Sequence, residues 1–144
     1  MGYNNYNSNQ YGRSQGQNNF NKPKEEEPFN LNINWFDKAK KVIENNKDKK
    51  LTYTQLRNML SVFNALQEKF NKNNNENLTE DEKNDLNYVK IKLIYMSAKG
   101  EYIDFYKTTQ IEQRLEIINT KKEFKDLLKY IEALVAYHKF IIGK

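Results

Sequence analysis

The segment KKLTYTQLRNML, which begins at Lys49, combines basic residues with a helix start. Lys49 and Lys50 come first. Thr52 and Gln55 follow with the spacing of an N-terminal capping box, and Arg57 lies within the next turn of the predicted helix. Cations are unfavourable at a helix N-terminus, because the peptide dipoles and unpaired N–H groups already make that end partially positive. The pattern therefore predicts that an anion binds there.

The positive charge of the chain is concentrated in the same region. The 144 residues carry a formal charge of +5, to which residues 1–28 contribute nothing. Between Phe36 and Arg57, seven basic residues stand against three acidic ones. This surplus favours a polyanionic partner, although a basic face that is only solvated is the alternative.

A second constellation alternates aromatic and basic residues. Tyr88, Lys92, Tyr95 and Lys99 follow one another at i, i+4, i+7 and i+11, so they share one line of a predicted helix. Lysines on phosphates and tyrosines against sugars or bases would suit a nucleic acid. The alternative is that the tyrosines pack in the core and the lysine stems lie across them.

Residue types that support catalysis are scarce. The chain has no cysteine and one histidine, His138, within an apolar stripe where a packed, hydrogen-bonded ring is the usual outcome. Phosphate-binding glycine loops and zinc motifs are missing, and the acidic residues from Thr79 to Glu82 fit helix capping better than metal binding. We expect no catalytic residue, no metal and no cofactor.

Residues 1–28 differ in composition from the rest. They are rich in Asn, Gln, Gly and Tyr without hydrophobic periodicity, and Pro23 and Pro28 end the segment. Such a segment cannot bury enough apolar surface to order itself, so we expect a disordered tail ahead of a helical domain over 29–144. A solubilising role is the simplest one, with weak self-association or RNA contact as alternatives.

Capping signals divide the remaining chain into helices. No segment shows strand-like alternation, so the sequence predicts an all-α, compact bundle of about five helices. Thr109 with Glu112 is a weaker signal, because it can fall inside a helix that begins near Tyr102. The predicted N-terminal caps are Asn34, Thr52 with Gln55, Thr79 with Glu82, and Thr120 with Glu123.

Apolar spacing predicts which helix faces are buried. The second helix has one apolar stripe, with Arg57 at its rim, and the last helix has one stripe that includes Leu127 and His138. The third helix has two apolar lines, one including Leu93 and the other including Ile91, Ile94 and Ala98. We therefore expect the third helix to be central, ending at Gly100. The stripe of the second helix is Leu56, Met59, Leu60, Phe63, Leu66 and Phe70, and that of the last is Phe124, Leu127, Leu128, Ile131, Leu134, Val135 and His138.

No part of the sequence suggests a membrane. There is no apolar run near 18 residues and no signal-peptide pattern, so we expect a cytoplasmic protein without a membrane partner.

Three stretches together resemble the Csm small-subunit family of the type III-A CRISPR effector complex. They are KKLTYTQLRNMLSVFNAL, YVKIKLIYMSAKG and FKDLLKYIEALVAYHKF, and the likeness covers roughly residues 35 to 142. The resemblance implies a non-catalytic five-helix bundle that stacks in several copies in the effector. Its implied partners are guide RNA, target RNA, other effector subunits and further copies of itself, in antiviral defence.

The resemblance also implies RNA-binding residues. Lys49, Lys50 and Arg57 match the RNA-facing part of the family motif, and Lys92 and Lys99 are candidates from the middle stretch. The family pattern there usually ends in Gly-Arg, whereas this chain has Lys99 and Gly100. The positive charge is kept, but the planar guanidinium that binds phosphate with two parallel hydrogen bonds is lost.

The resulting hypothesis is sequence-independent binding to the phosphate backbone along the guide–target duplex. Two alternatives remain open at this point. One is a structural module whose exposed apolar residues contact protein neighbours. The other is a stand-alone helical nucleic-acid-binding protein, which would co-purify with mixed nucleic acid rather than with defined guide RNAs.

Overall fold

The computed structural model describes residues 35–143, so the predicted tail, the Asn34 cap and the domain boundary after Pro28 lie outside the described residues. Within this range the chain forms α-helices and no strand, and the all-α prediction is confirmed. The elements are α1 (Trp35–Asn45), α2 (Tyr53–Phe70), α3 (Glu80–Lys99), α4 (Ile103–Thr109), α5 (Ile111–Ile117) and α6 (Lys121–Tyr137), followed by a π-helical turn (His138–Ile142).

Three predicted capping boxes are confirmed. At Thr52, Thr79 and Thr120 the hydroxyl accepts a hydrogen bond from the N–H three residues on, while Gln55, Glu82 or Glu123 accepts from the backbone of the cap residue. Each box satisfies N–H groups that the first turn leaves unpaired. The start of each of the three long helices is therefore determined by local sequence.

The weak capping signal predicted at Thr109 with Glu112 does not form a capping box, although a helix does begin close to it. The Thr109 hydroxyl donates to the Tyr106 carbonyl. The helix is interrupted at the next residue, Gln110, whose φ of 61° is left-handed. The Tyr130 hydroxyl of α6 donates to the Thr109 carbonyl at 2.9 Å, and the Lys38 ammonium donates to the Gln110 side chain. Because this break divides one predicted helix into α4 and α5, the described residues contain six helices rather than about five.

Helix α6 is the centre of the bundle, and the prediction of a central α3 is wrong. Helix α6 packs against both α1 and α2, and Tyr130 and Ala133 are buried in addition to the whole predicted stripe. On α3, by contrast, Ile91 and Ile94 are 62% and 43% exposed, and Ala98 is exposed. A second apolar line on a helix does not specify a neighbouring element to cover it, and none of the described elements lies over this one.

The core confirms the predicted face of α2 and combines it with α6. Leu56, Met59, Phe63, Leu66 and Phe70 are buried, and Leu60 is partly buried against the same cluster. The Phe124 ring of α6 packs edge-on against Phe70, with 4.9 Å between ring centroids. This contact holds the C-terminal end of α2 against the first turn of α6.

The stability of the bundle is expected to depend on α6. Leu127 is completely buried, so Leu127→Ala leaves a cavity and should lower the free energy of unfolding by about 2 to 5 kcal/mol. Urea unfolding followed by circular dichroism measures the change. Lys129→Ala, on the exposed face of α6, is the control, and an equal effect of the two substitutions would contradict this core.

The α3 cap should make stability dependent on pH. Burial tends to raise the pKa of Glu82, but hydrogen bonds from Thr79 and Asn73 outweigh burial and hold this pKa below its usual value. The stabilisation is therefore complete above the unfolded pKa of about 4.3 and is lost as the pH falls through the folded pKa. Glu82→Gln should destabilise the protein clearly at pH 7 and much less at pH 3. An equal difference at both pH values in urea unfolding would contradict this origin.

Candidate functional site

The loop between α1 and α2 carries Lys49 and Lys50 and is fixed at both ends. Asn46 is buried, and its side-chain amide donates to the Val42 carbonyl at 2.7 Å. At the other end Leu51 is buried, and its carbonyl lies 3.2 Å from Nε2 of His138, which can donate to it. The two exposed lysines are thus held just ahead of the first turn of α2.

His138 has a packing role, as predicted. Its side chain is 1% exposed, and its ring stacks on Tyr53 at a centroid distance of 6.3 Å. A histidine enclosed in this way, with Nε2 directed at a backbone carbonyl, joins the end of α6 to the start of α2. This geometry positions neighbouring residues and offers no exposed base for catalysis.

Tyr53 brings together two cations from distant parts of the sequence. The Arg57 guanidinium lies 5.8 Å from the centroid of the Tyr53 ring, and the Lys139 ammonium lies 5.0 Å from it. Cation–π contacts of this length contribute about 0.5 to 1 kcal/mol at exposed sites. The aromatic ring therefore holds both positive groups beside the first turn of α2.

Sequence reasoning missed Lys139. Its position relative to the apolar stripe placed it on the outer face of the last helix, away from α2. In the structure the regular α-helix ends at Tyr137 and a π-helical turn begins at His138, which alters the direction of the residues that follow. The available signal was the number of aromatic and basic residues after Tyr137, but periodicity alone cannot place them.

The C-terminal end of α3 reaches the same region. The Gln55 side-chain amide donates to the Gly100 carbonyl at 3.3 Å, so Lys99 precedes a residue that contacts the first turn of α2. A Cβ atom on Gly100 would lie 2.6 Å from the Tyr102 ring and 2.9 Å from the Gln55 amide. This close approach requires glycine, while the left-handed residue that turns the chain is Glu101.

Five cations lie in chain segments that meet at the start of α2, and they are called here the basic end. None of its five cations forms an ion pair with a carboxylate among residues 35–143, and all five side chains are exposed. The structure therefore brings together four of the five predicted RNA-binding residues and adds Lys139. The basic end comprises Lys49, Lys50, Arg57, Lys99 and Lys139.

Lys92 does not belong to the basic end. It lies on the exposed face of α3, seven residues before Lys99, which places it about 10 Å further along the helix axis. The neighbouring Tyr88 and Tyr95 are 67% and 63% exposed. The alternative in which these tyrosines pack in the core is therefore excluded.

The ionisable groups whose pKa values are clearly shifted lie outside the basic end and have structural roles. Burial raises the pKa of Tyr106, and Glu112 and Glu116 add to this effect. Burial lowers the pKa of Arg114, while Glu123 and Asp126 counteract it. The hydrogen bond with Asp85 raises the pKa of Lys69 at the far end of α2.

The described residues contain neither a metal-binding cluster nor a helix suited to crossing a membrane. Among residues 35–143 no group of three or more His, Asp or Glu side chains is arranged to hold a metal ion. None of the helices described is both long and apolar enough to cross a membrane.

The fold and the site define a small helical protein whose distinguishing feature is a basic end built from three segments of the chain. The sequence model of the Csm2 Type III-A family matches residues 32–144. A "CRISPR system Cms protein Csm2" from Enterococcus italicus is 35% identical over 119 residues, covering 71% of this chain and 85% of that protein. The protein of the same name from Streptococcus thermophilus is 29% identical over 117 residues, covering 77% and 93%.

The chain belongs to the Csm2 family of type III-A CRISPR systems, and the resemblance inferred from three short stretches is confirmed. Membership makes it a small subunit of the type III-A complex. Other subunits of that complex are accordingly among its partners.

The hydrogen bond between His138 and the Leu51 carbonyl should contribute measurably to the free energy of unfolding. His138→Phe keeps an aromatic ring on Tyr53 but leaves the Leu51 carbonyl without its partner, and should lower the free energy of unfolding by about 1 to 3 kcal/mol. Glu132→Ala, at an exposed position of α6 outside these contacts, is the control, with an expected change within about 0.5 kcal/mol. A His138→Phe protein as stable as the wild type in urea would contradict the role of this bond.

Proposed function

We propose that this protein is the non-catalytic, RNA-binding small subunit of a cytoplasmic type III-A effector in antiviral defence. Several copies stack along the guide RNA–target RNA duplex and contact phosphates without reading the bases. The observation that carries this proposal is the basic end, where five exposed cations that pair with no carboxylate of residues 35–143 lie in segments that meet at the start of α2. Lys92 adds a sixth cation on the adjoining face of α3.

The physical basis is attraction to a phosphate backbone. Lysine and arginine side chains that neutralise phosphates release condensed counterions, which provides affinity independent of base sequence. Such contacts position a strand, while guide pairing provides the sequence choice in RNA-guided complexes. Weak binding by one subunit is strengthened when several copies contact one RNA.

The absence of catalysis in this proposal follows from the site's chemistry. The single histidine of the chain is enclosed between Tyr53 and the Leu51 carbonyl, and no cysteine exists anywhere in the sequence. Lysine, arginine and tyrosine at the basic end suit electrostatic binding.

Salt dependence tests the proposal. Fluorescence anisotropy of a labelled RNA of about 40 nucleotides should show a log–log slope near −3.5 for a single strand if about five of these six cations neutralise phosphates. Reversing Lys49, Lys50 and Arg57 to glutamate should weaken binding strongly and reduce the slope to about −1.4, because two of the five cations remain.

The matched control reverses the same number of charges away from the basic end. Lys72, Lys125 and Lys129 are exposed, and their replacement by glutamate gives the same change in net charge. This control should keep the slope and most of the affinity. Equal loss in both variants would show that net charge alone attracts RNA, and binding insensitive to salt would contradict the proposal.

A further inference from the structure

Helix α3 presents an exposed face that its fold does not explain. Tyr88, Ile91 and Tyr95 are 67%, 62% and 63% exposed, and their spacing places them on one line of the helix. None of the described elements packs over them. This surface, called here the α3 face, comprises Tyr88, Ile91, Lys92, Ile94, Tyr95, Ala98 and Lys99.

The chemistry of the α3 face combines aromatic rings with cations along one edge. Lys92 and Lys99 are seven residues apart and follow Tyr88 and Tyr95, respectively, by four residues, so the two aromatic–basic pairs repeat along the helix. The Lys99 ammonium lies 5.9 Å from the Tyr95 ring centroid. Alternating aromatic and basic groups are the components with which proteins bind single-stranded nucleic acids, since every base has a π-face for stacking.

The α3 face is continuous with the basic end. Lys99 belongs to both surfaces, and the bond from Gln55 to the Gly100 carbonyl holds the end of α3 against the start of α2. Tyr95 is one turn from Lys99, and Tyr88 is about 10 Å further along the axis. An RNA strand with phosphates at the basic end can therefore continue along the α3 face.

Charge argues against a second copy of this chain as the occupant. Two α3 helices paired antiparallel over their apolar centres would bring the lysine edge of one against the lysine edge of the other. The acidic residues of the first turn, Glu80 and Asp81, would lie beyond this overlap. The lysine edge instead complements an anion.

We propose that the α3 face is a stacking platform for unpaired RNA bases, with Tyr88 and Tyr95 under the bases and Lys92 and Lys99 on the adjoining phosphates. This inference rests on the proposed RNA-binding function and refines it. In a duplex the base faces are covered by their neighbours, so the tyrosines contribute only where nucleotides are unpaired. Ile91, between the two tyrosines, provides an apolar floor for a base or a sugar.

The test compares two pairs of substitutions in the full chain. Tyr88→Leu with Tyr95→Leu removes the π-faces but keeps apolar bulk, whereas Tyr88→Phe with Tyr95→Phe keeps the rings. At fixed salt, anisotropy with a single-stranded RNA should show about a tenfold or larger loss for the leucine pair and little change for the phenylalanine pair. With a duplex of equal length, the leucine pair should bind like the wild type.

The salt slope separates stacking from charge. Because the tyrosine substitutions remove no cation, the slope of the leucine pair should equal that of the wild type. Phe36 is an exposed aromatic residue of α1 whose ring lies against Trp35. Phe36→Leu is therefore the control for loss of a surface ring, and this variant should bind single strands normally. Unchanged thermal midpoints verify that all variants are folded.

The outcomes distinguish this inference from the proposed function. If the basic-end charge reversal abolishes binding but the leucine pair binds single strands normally, the platform is refuted and the proposed function stands. If the wild type binds no RNA, both fail. If the leucine pair keeps its RNA affinity but no longer co-purifies with other subunits of the complex, the α3 face contacts protein and the inference is overturned. Equal losses on single strand and duplex also overturn it.

Discussion

Helix α6 has buried side chains around most of its circumference, and α1 and α2 are positioned by covering it. Phe124, Leu127 and Ile131 are fully enclosed, and α1 and α2 pack against the helix that carries them. Burial of each large apolar side chain contributes about 1.5 to 3 kcal/mol, so this helix accounts for much of the driving force for folding. Tyr130 connects α6 to the junction between α4 and α5, because its hydroxyl donates a hydrogen bond to the Thr109 carbonyl.

The basic end depends on that central helix. Where α6 ends, His138 contacts the Leu51 carbonyl and Tyr53 takes Lys139 and Arg57 on its ring. Arg57 and Lys139 are therefore held by a partly buried aromatic ring, and neither forms an ion pair with a carboxylate of residues 35–143. A carboxylate partner would neutralise the surface that an anion is proposed to use, whereas a neutral aromatic ring orients the cations and leaves their charge available.

The α3 face shows a different compromise. Exposed Ile91 and Tyr95 contribute nothing to the core, and burying them would have favoured folding. Their exposure, on a helix held firmly by capping at Thr79 and by Gly100 at its other end, is characteristic of a binding surface.

Local sequence was sufficient to predict the all-α class, the three capping boxes and the buried stripes of α2 and α6, because caps and helical periodicity act over three to seven residues. It also identified Lys49, Lys50 and Arg57 as anion-binding candidates and the family through its short motifs. It failed for α3, since two apolar lines do not reveal which neighbours exist to cover them. Only the tertiary structure brought Lys139 and Lys99 to the start of α2, because contacts between Tyr53, His138, Gln55 and Gly100 join residues that lie 45 or more positions apart in the sequence.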